Sequence, residues 1–507
     1  MRKILLPLTL LFFIYSCSDH RLDPTINENP ATFTEIGSID IGDTGAAEIS
    51  AYDPVTGRLF VVNNFLTNAN SPVNKIDVID MSNPSAMKVI GSISMAPYGG
   101  AVNSLSVYNG KLTAAVESVN KQEPGKVVVF HTVDYKELKV ISVGALPDMI
   151  TFSPDGRFIL TANEGEPNDA YTVDPEGSVS IISVEDNYSV VTLNFSAFAP
   201  QQAALMAKGL RIFGPTANPD FAKNIEPEYI TVSADSKTAW VTLQENNAIA
   251  KIDLTSKSIT ALFPLGFKNY NSDENAIDIS DQDNVISLKK WPAFGIYQPD
   301  AVAVFENGGV PYLFTANEGD AREYTGFNEM RRVGSNATVL DPAVFPNAAT
   351  LKQAAQMGRL NHTITLGNTD ADPEFEAIYS LGARSFSVWN GNDGSLLFDS
   401  KNELEQRCIA AGVYDDARSD DKGVEPEGMA LGRVGGRIIA FVGMERADAV
   451  GIYDVSNPLS PIFLQLVKSG DAPEGVLFIP ANNSPIQKSL LVVSSENDGV
   501  VKVYRPQ

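Results

Sequence analysis

Acidic side chains recur in this sequence at one fixed place in a repeated unit, and their spacing suits the capture of a hard cation. Each unit reads as an acidic residue, a short apolar strand, a tight turn, a second apolar strand closing in Asn or Glu, and a third strand. The clearest copy has Pro147-Asp148 leading into residues 149–152, a turn at Ser153-Pro154-Asp155-Gly156-Arg157, a return over 158–162, and Asn163-Glu164-Gly165 at its close. Aligning the copies gives seven head positions, Glu48, Asn103, Asp148, Glu228, Asp300, Glu427 and Glu474. The seven tail positions are Asn64, Glu117, Glu164, Glu245, Glu318, Glu445 and Glu496. Twelve of the fourteen are carboxylates, where the overall acidic frequency would place about two. One carboxylate at a turn is explained by acceptance of neighbouring backbone N–H groups. Many gathered at one opening repel each other, and protonation or a bound cation relieves the repulsion.

Oxygen-only donors select Ca²⁺, with Mg²⁺ as the alternative. The expected metal ligands are Glu164, Glu166, Glu245, Glu318, Asp320, Glu445 and Glu496, the richest runs being 163–169 and 317–323. Zinc is not expected, because His20, His131 and His362 are scattered with no HxxxH or HxH grouping. Around the metal, Asp148, Glu228, Asp300, Glu427 and Glu474, with Arg322, Arg384 and Arg446, are the expected ligand-binding residues. The guanidinium groups would meet an anionic or phosphorylated ligand. If the site is catalytic, Arg322, Arg384 and Lys422 are the candidates for neutralising developing charge. The sequence has no EF-hand loop, P-loop or Ser-His-Asp set.

Elements able to gather these residues must be short strands, and almost every segment after residue 31 is β-branched or aromatic, punctuated by Gly, Asp, Asn and Pro. Seven antiparallel units predict an all-β, seven-bladed β-propeller. A two-part sandwich array is the alternative. The last unit ends at its third strand, over 500–504, while 34–41 is a surplus strand at the other end, so the N-terminal strand is expected to close the ring. Three stretches fall outside the repeat, about 188–225, 256–297 and 324–376, and long inserts in compact domains often serve function. Residues 203–212, 348–357 and 402–411 have helical spacing. Residues 385–389 and 396–398 read as the displaced outer strands of the fifth blade.

The chain has 507 residues, 38 Lys and Arg against 62 Asp and Glu, and a net charge of −24. That balance repels phosphate backbones, so nucleic acid is not an expected partner. At the N-terminus, Arg2 and Lys3 precede an apolar run over 4–14 that suits a signal peptide rather than a membrane span. Tyr15-Ser16-Cys17 resembles a lipobox, so residues 1–16 are expected to be removed and Cys17 lipidated, with 17–32 as a tether and 33–507 as the propeller. Membrane contact would then run through the lipid anchor alone, at a bacterial cell envelope, periplasmic or surface-facing. Cys408 is left without a disulfide partner.

Asn163-Glu164-Gly165-Glu166, Asn317-Glu318-Gly319-Asp320-Ala321-Arg322, Ser419-Asp420-Asp421-Lys422-Gly423 with Glu425-Pro426-Glu427-Gly428, and Ala472-Pro473-Glu474-Gly475 occur in that order. Between them lie Ile212-Phe213-Gly214-Pro215 and Gly382-Ala383-Arg384-Ser385-Phe386. As a set these resemble the choice-of-anchor I family over residues 35–505. The resemblance implies secreted or surface-anchored propellers related to mesenchyme-specific surface glycoproteins of mineralised tissue, some members carrying the label alkaline phosphatase. It implies Ca²⁺ or phosphate compounds as ligands and supplies no catalytic residues. Three readings follow: a surface lipoprotein whose acidic face binds a divalent cation and a ligand or partner, a Ca²⁺-dependent phosphoesterase, and a non-catalytic protein-interaction scaffold.

Overall fold

The computed structural model describes residues 27–65, 73–370 and 372–507. The expected signal peptide and Cys17 lie outside the described residues. Among the described residues seven four-stranded antiparallel sheets follow one another. Their innermost strands, Ala46–Asp53, Val102–Tyr108, Pro147–Phe152, Ile230–Val232, Val302–Asn307, Pro426–Val434 and Pro473–Ile479, neighbour one another in a closed circle. This is a β-propeller. Within each blade the second and third strands carry nearly unbroken buried runs, as in Phe158–Asn163 and Ser178–Ser183. Both faces of these strands pack against neighbouring blades, so period-two polarity disappears. Outer strands such as Ser189–Asn194 are mostly exposed.

The seventh blade is completed by the N-terminal strand Thr34–Asp40, which pairs antiparallel with Val500–Arg505, Thr34 lying opposite Arg505 and Asp40 opposite Val500. Glu28 fastens this closure: its carboxylate accepts from the Ser489 backbone N–H (2.8 Å) and hydroxyl (2.7 Å). Glu28→Ala should lower stability by about 1–3 kcal/mol, because both buried Ser489 donors lose their acceptor. A shift in urea midpoint at unchanged slope would measure this, and an unmoved midpoint would show that Glu28 does not secure the ring.

Two insert boundaries differ from the sequence expectation. Ser189–Asn194 is the outer strand of the third blade and Ser258–Pro264 that of the fourth, so these inserts begin after residues 194 and 264 rather than near 188 and 256. Both strands are largely apolar, SVVTLN and SITALFP, but each is the fourth of its blade and lies outside the three-strand unit that defines the repeat. The fifth blade takes Ser385–Asn390 and Leu396–Asp399 as its outer pair, after the long insert. Helices are short, Gln202–Met206, Ala348–Leu351 and Glu403–Ala411, narrower than the helical spacing suggests.

Strand direction places all the inserts. An innermost strand leaves the head-position face and its neighbour returns, so head and tail positions share one face, and the fourth strand also ends there. Inserts following residues 194, 264, 317 and 399 therefore emerge on that face. Those on either side of the fifth blade's first two strands share a core of their own, including Tyr270, Ile279, Trp291, Phe345, Met357 and Phe375.

Candidate functional site

A recurring irregularity aims the head residues into the channel. In five blades the register slips by a β-bulge at the start of the innermost strand, between Ala46 and Ser50, Val102 and Ser104, Pro147 and Ile150, Pro426 and Met429, and Pro473 and Gly475. Beside these bulges the backbone enters the left-handed region, at Ala47, Leu146, Glu425 and Ala472. A bulge bends its strand and redirects a side chain. Six of the seven tail residues follow directly on the second strands and Glu245 one residue later, and Glu164 N–H donates to Leu146 O and Glu496 N–H to Ala472 O. The Asn before two tail acids has a different duty: Asn163 donates to Ser180 Oγ and Asn317 to Ser387 Oγ, both fully buried. Asn stitches the second strand to the third, and the following Glu is free to face the axis.

Six of the seven head residues and the tail residues Glu164, Glu318 and Glu445 line a cavity of about 440 Å³ at the propeller mouth, while Glu245 lies buried behind Glu164 and Glu228. The cavity walls include Asn103, Asp148, Glu164, Glu228, Asp300, Glu318, Asp320, Glu427, Glu445 and Glu474, with Lys422 and Arg446 as the cations. Ile49, Met149, Tyr229 and Val476 also line a second cavity deeper in the channel, so they form an apolar collar beneath the acids. Neither His131 nor His362 lines the mouth: His131 pairs with Asp134 at the surface, and His362 is buried against Thr338.

Burial sets the protonation of this mouth. Asp148 is pushed up to about 6, by burial first and then by Glu166 and Glu117, against Lys121. Glu48 reaches about 8 through burial and the charge of Glu496, with the Asn64 amide opposing. Burial, then Glu318, holds Glu445 at about 7 against Arg446. Glu164, Glu228, Glu245, Asp300, Glu427 and Glu474 stand well above the usual carboxylate range, burial again leading and acidic neighbours adding to it.

Two nests of oxygens stand out. One oxygen each from Glu164, Glu228 and Glu245 lie within 4.8 Å of one another, and so do oxygens of Asp300, Glu318 and Glu427. Ca²⁺ takes oxygens at about 2.4 Å, which allows ligand oxygens to be separated by up to about twice that distance. The first nest therefore fits the ion by both donor type and spacing. Glu245 is 3% exposed, and its Oε2 has no hydrogen-bond partner. Among the described residues no Lys or Arg forms an ion pair with Glu164, Glu228 or Glu245. A third set, Glu318, Glu425 and Glu445, shares Glu318 with the second nest.

Several expected site residues sit elsewhere. Arg322 does not face a ligand. It is buried, holds Glu226 through Nε (3.0 Å) and Nη2 (2.5 Å), donates to the Phe213 and Asn224 carbonyls, and stacks on Phe213. Arg384 is buried too, paired with Glu405 at 3.1 Å and donating to the carbonyls of Asp278, Ser419 and Asp421. Both bind inserts to one another, because a buried guanidinium needs a carboxylate and several carbonyls to satisfy its donors. Glu166 accepts from the Tyr324 hydroxyl (3.0 Å) and acts on the cavity only through its charge. Glu496 does not line the cavity but repels Glu48 and Glu474 across the blade junction.

Glu226, Gln244 and Glu425 escaped sequence reasoning. Glu226 and Glu425 each open a Glu-Pro-Glu tripeptide, at 226–228 and 425–427, whose third residue is a head acid. That repetition was the available signal. In both cases the first Glu pairs with arginine: Glu226 with Arg322, Glu425 with Arg418 at 2.5 Å and Arg446 at 3.4 Å. Gln244 donates to Glu318 Oε2 at 2.9 Å. At the neck of the fifth blade's insert, Gly319 (φ 89°) and Gly382 (φ 70°) approach so closely that a Cβ on Gly382 would lie 2.0 Å from Glu318 O. The pair lets the insert leave and return beside Glu318 without displacing it.

Fold and site together define a ring-closed propeller with a buried acidic mouth overlaid by inserts. The profile of the choice-of-anchor I domain matches residues 48–458, and the chain belongs to that family of surface-anchored proteins. It is 26% identical over 334 residues to a mesenchyme-specific cell surface glycoprotein of Strongylocentrotus purpuratus, covering 56% of this chain and 43% of that protein. It is also 26% identical over 189 residues to Gigasin-3a of Magallana gigas, covering 31% of this chain and 66% of that protein. The chain thus spans under half the length of the sea-urchin glycoprotein. Among solved structures, Kuenenia stuttgartiensis hydrazine synthase matches with TM-score 0.47 and 14% identity over 92% of this chain and 97% of that one. The Myceliophteria thermophila Cps50 (Swd1) β-propeller domain matches with TM-score 0.47 and 9% identity over 94% and 100%. No helix among the described residues is long and apolar enough to cross a membrane.

Proposed function

We propose that this protein is a cell-envelope surface lipoprotein, anchored through Cys17, whose propeller mouth binds a divalent cation, Ca²⁺ foremost, and through it an anionic ligand or partner. The observation that carries this reading is the buried, unpartnered Oε2 of Glu245 beside Glu164 and Glu228. An isolated buried carboxylate is costly unless a cation or proton meets it. Arg446, partly exposed on the cavity wall beside Glu445, supplies positive charge for an anion. Residues 29–33 lie at the end of the seventh blade opposite the mouth, where the Asn29 N–H donates to Gln507 O, so an anchor at Cys17 would turn the mouth away from the membrane.

Calorimetric titration with CaCl2 and melting with and without chelator test the reading. At a hundredfold excess over Kd, binding adds about 2.7 kcal/mol and raises Tm by about 3 °C for a domain of this size. Glu164→Gln with Glu228→Gln should abolish both the heat and the shift. Absence of any Ca²⁺ effect on the unmutated protein would leave the interaction scaffold as the better reading.

Phosphoester hydrolysis is a second reading, because Arg446 lines the same cavity as carboxylates able to hold a metal. Under it, hydrolysis of a phosphomonoester should require the metal and vanish in the double variant. Hydrolysis indifferent to chelator and mutation would count against it.

A further inference from the structure

Tail residues Glu245 and Glu318 come from adjacent blades, and each belongs to a three-carboxylate nest, yet their surroundings differ. Glu245 Oε2 has no partner, and in the second nest Glu427 Oε2 has none either, so the two nests differ at the tail residue. Both oxygens of Glu318 are taken: Lys422 Nζ holds Oε1 at 2.6 Å and the Gln244 amide holds Oε2 at 2.9 Å. Lys422 is itself nearly enclosed, reaching Glu425 Oε2 at 3.4 Å and Asp320 Oδ1 at 3.9 Å. It arrives on a loop fixed from outside. Arg384 donates to the carbonyls of Ser419 and Asp421, and Arg418 Nε donates to Glu425 at 2.9 Å. Glu425 is fully buried, in the left-handed backbone region at φ 48°, a strained position for a non-glycine residue that persists only where its surroundings enforce it.

We propose that Lys422 is a tethered counter-ion that caps the second nest of the mouth at its Glu318 corner, so the chain supplies one cation itself and leaves one place for a divalent ion. Resting on the cation reading above, this deepens it: the mouth takes a single Ca²⁺, at Glu164, Glu228 and Glu245, and the ammonium bars a second ion from Asp300, Glu318 and Glu427. Methionine nearly preserves the length of the lysine side chain and removes its charge. Lys422→Met therefore frees Glu318 Oε1 and leaves a nest of three half-buried carboxylates without a cation, which a hard cation satisfies better than water does.

The experiment is calorimetric titration of CaCl2 into the purified protein and its variants, with circular dichroism to confirm folding. Unmutated protein should bind one Ca²⁺, Lys422→Met two, and Lys422→Arg one. The double variant Lys422→Met with Glu318→Gln should return to one. A Lys422→Met protein that folds and still binds one ion overturns the proposal, as does an unmutated protein that binds two. If Lys422→Met fails to fold without metal, recovery of its circular dichroism by millimolar Ca²⁺ but not by NaCl supports the proposal, and no recovery counts against it. Failure of the underlying reading is distinct: no binding to unmutated protein sinks the vacancy at Glu245, whereas one ion bound by Lys422→Met alone would still support the tethered ammonium.

Discussion

Arg322→Met is expected to destabilise the protein by about 3–5 kcal/mol, the cost of leaving a buried carboxylate without its cation. Glu226 loses both guanidinium contacts in this variant, and the Phe213 and Asn224 carbonyls lose their donor. Arg211, which stacks on the same Phe213 ring and pairs with Glu329, is committed elsewhere and cannot replace it. Burial already pushes Glu226 to about 7 with Arg322 present. Without it, the folded protein must either hold a proton there or open the insert root. Arg322→Met with Glu226→Met should recover most of the loss, since apolar replacement of both partners removes the desolvation penalty with the pair. Urea denaturation of the two variants measures this. A single variant as stable as the unmutated protein but deficient in binding an anion would return Arg322 to the ligand role that the sequence suggested.

That contrast marks where the sequence stops informing. Head and tail acids were legible because a propeller repeats one geometry, so a residue's phase in the unit fixes its face and its distance from the axis. Closure by Thr34–Asp40 was legible for the same reason, as a strand surplus at one end matched a deficit at the other. The arginines follow no repeat. Arg322 and Arg384 stand in motifs rich in acids, yet their partners Glu226 and Glu405 come from other inserts, 96 and 21 residues away in sequence. Which insert packs on which depends on a core assembled from segments with no shared period, such as Trp291 with Phe345 and Met357. Composition could suggest positive charge near the mouth but could not separate Lys422, which enters it, from Arg384, which holds the loop that carries Lys422.

Cation affinity should rise by about tenfold per pH unit between roughly pH 6 and 8 for each proton displaced on binding. The sign follows from the direction of the shifts. The proposed ligands Glu164, Glu228 and Glu245 stand well above the ordinary carboxylate range, and around the mouth Asp148, Glu445 and Glu48 are raised to about 6, 7 and 8, burial leading in each case. Between their ordinary values near 4 and these raised ones, the folded state holds protons that the unfolded chain has released. Stability of the metal-free protein therefore falls as pH rises through that window, and the loss is complete above the raised values. A divalent ion performs the service the protons perform at lower pH, so it competes with them and binds best once they have gone. Melting in the presence of chelator should show Tm declining from pH 5.5 to 8.5, while the increment given by Ca²⁺ grows over the same range. Calorimetry at pH 7 in buffers of different ionisation enthalpy should register proton release on binding. An affinity flat from pH 6 to 8, with no protons released, would mean that the mouth is ionised before the ion arrives, and that crowding of its acids is relieved by something other than protonation.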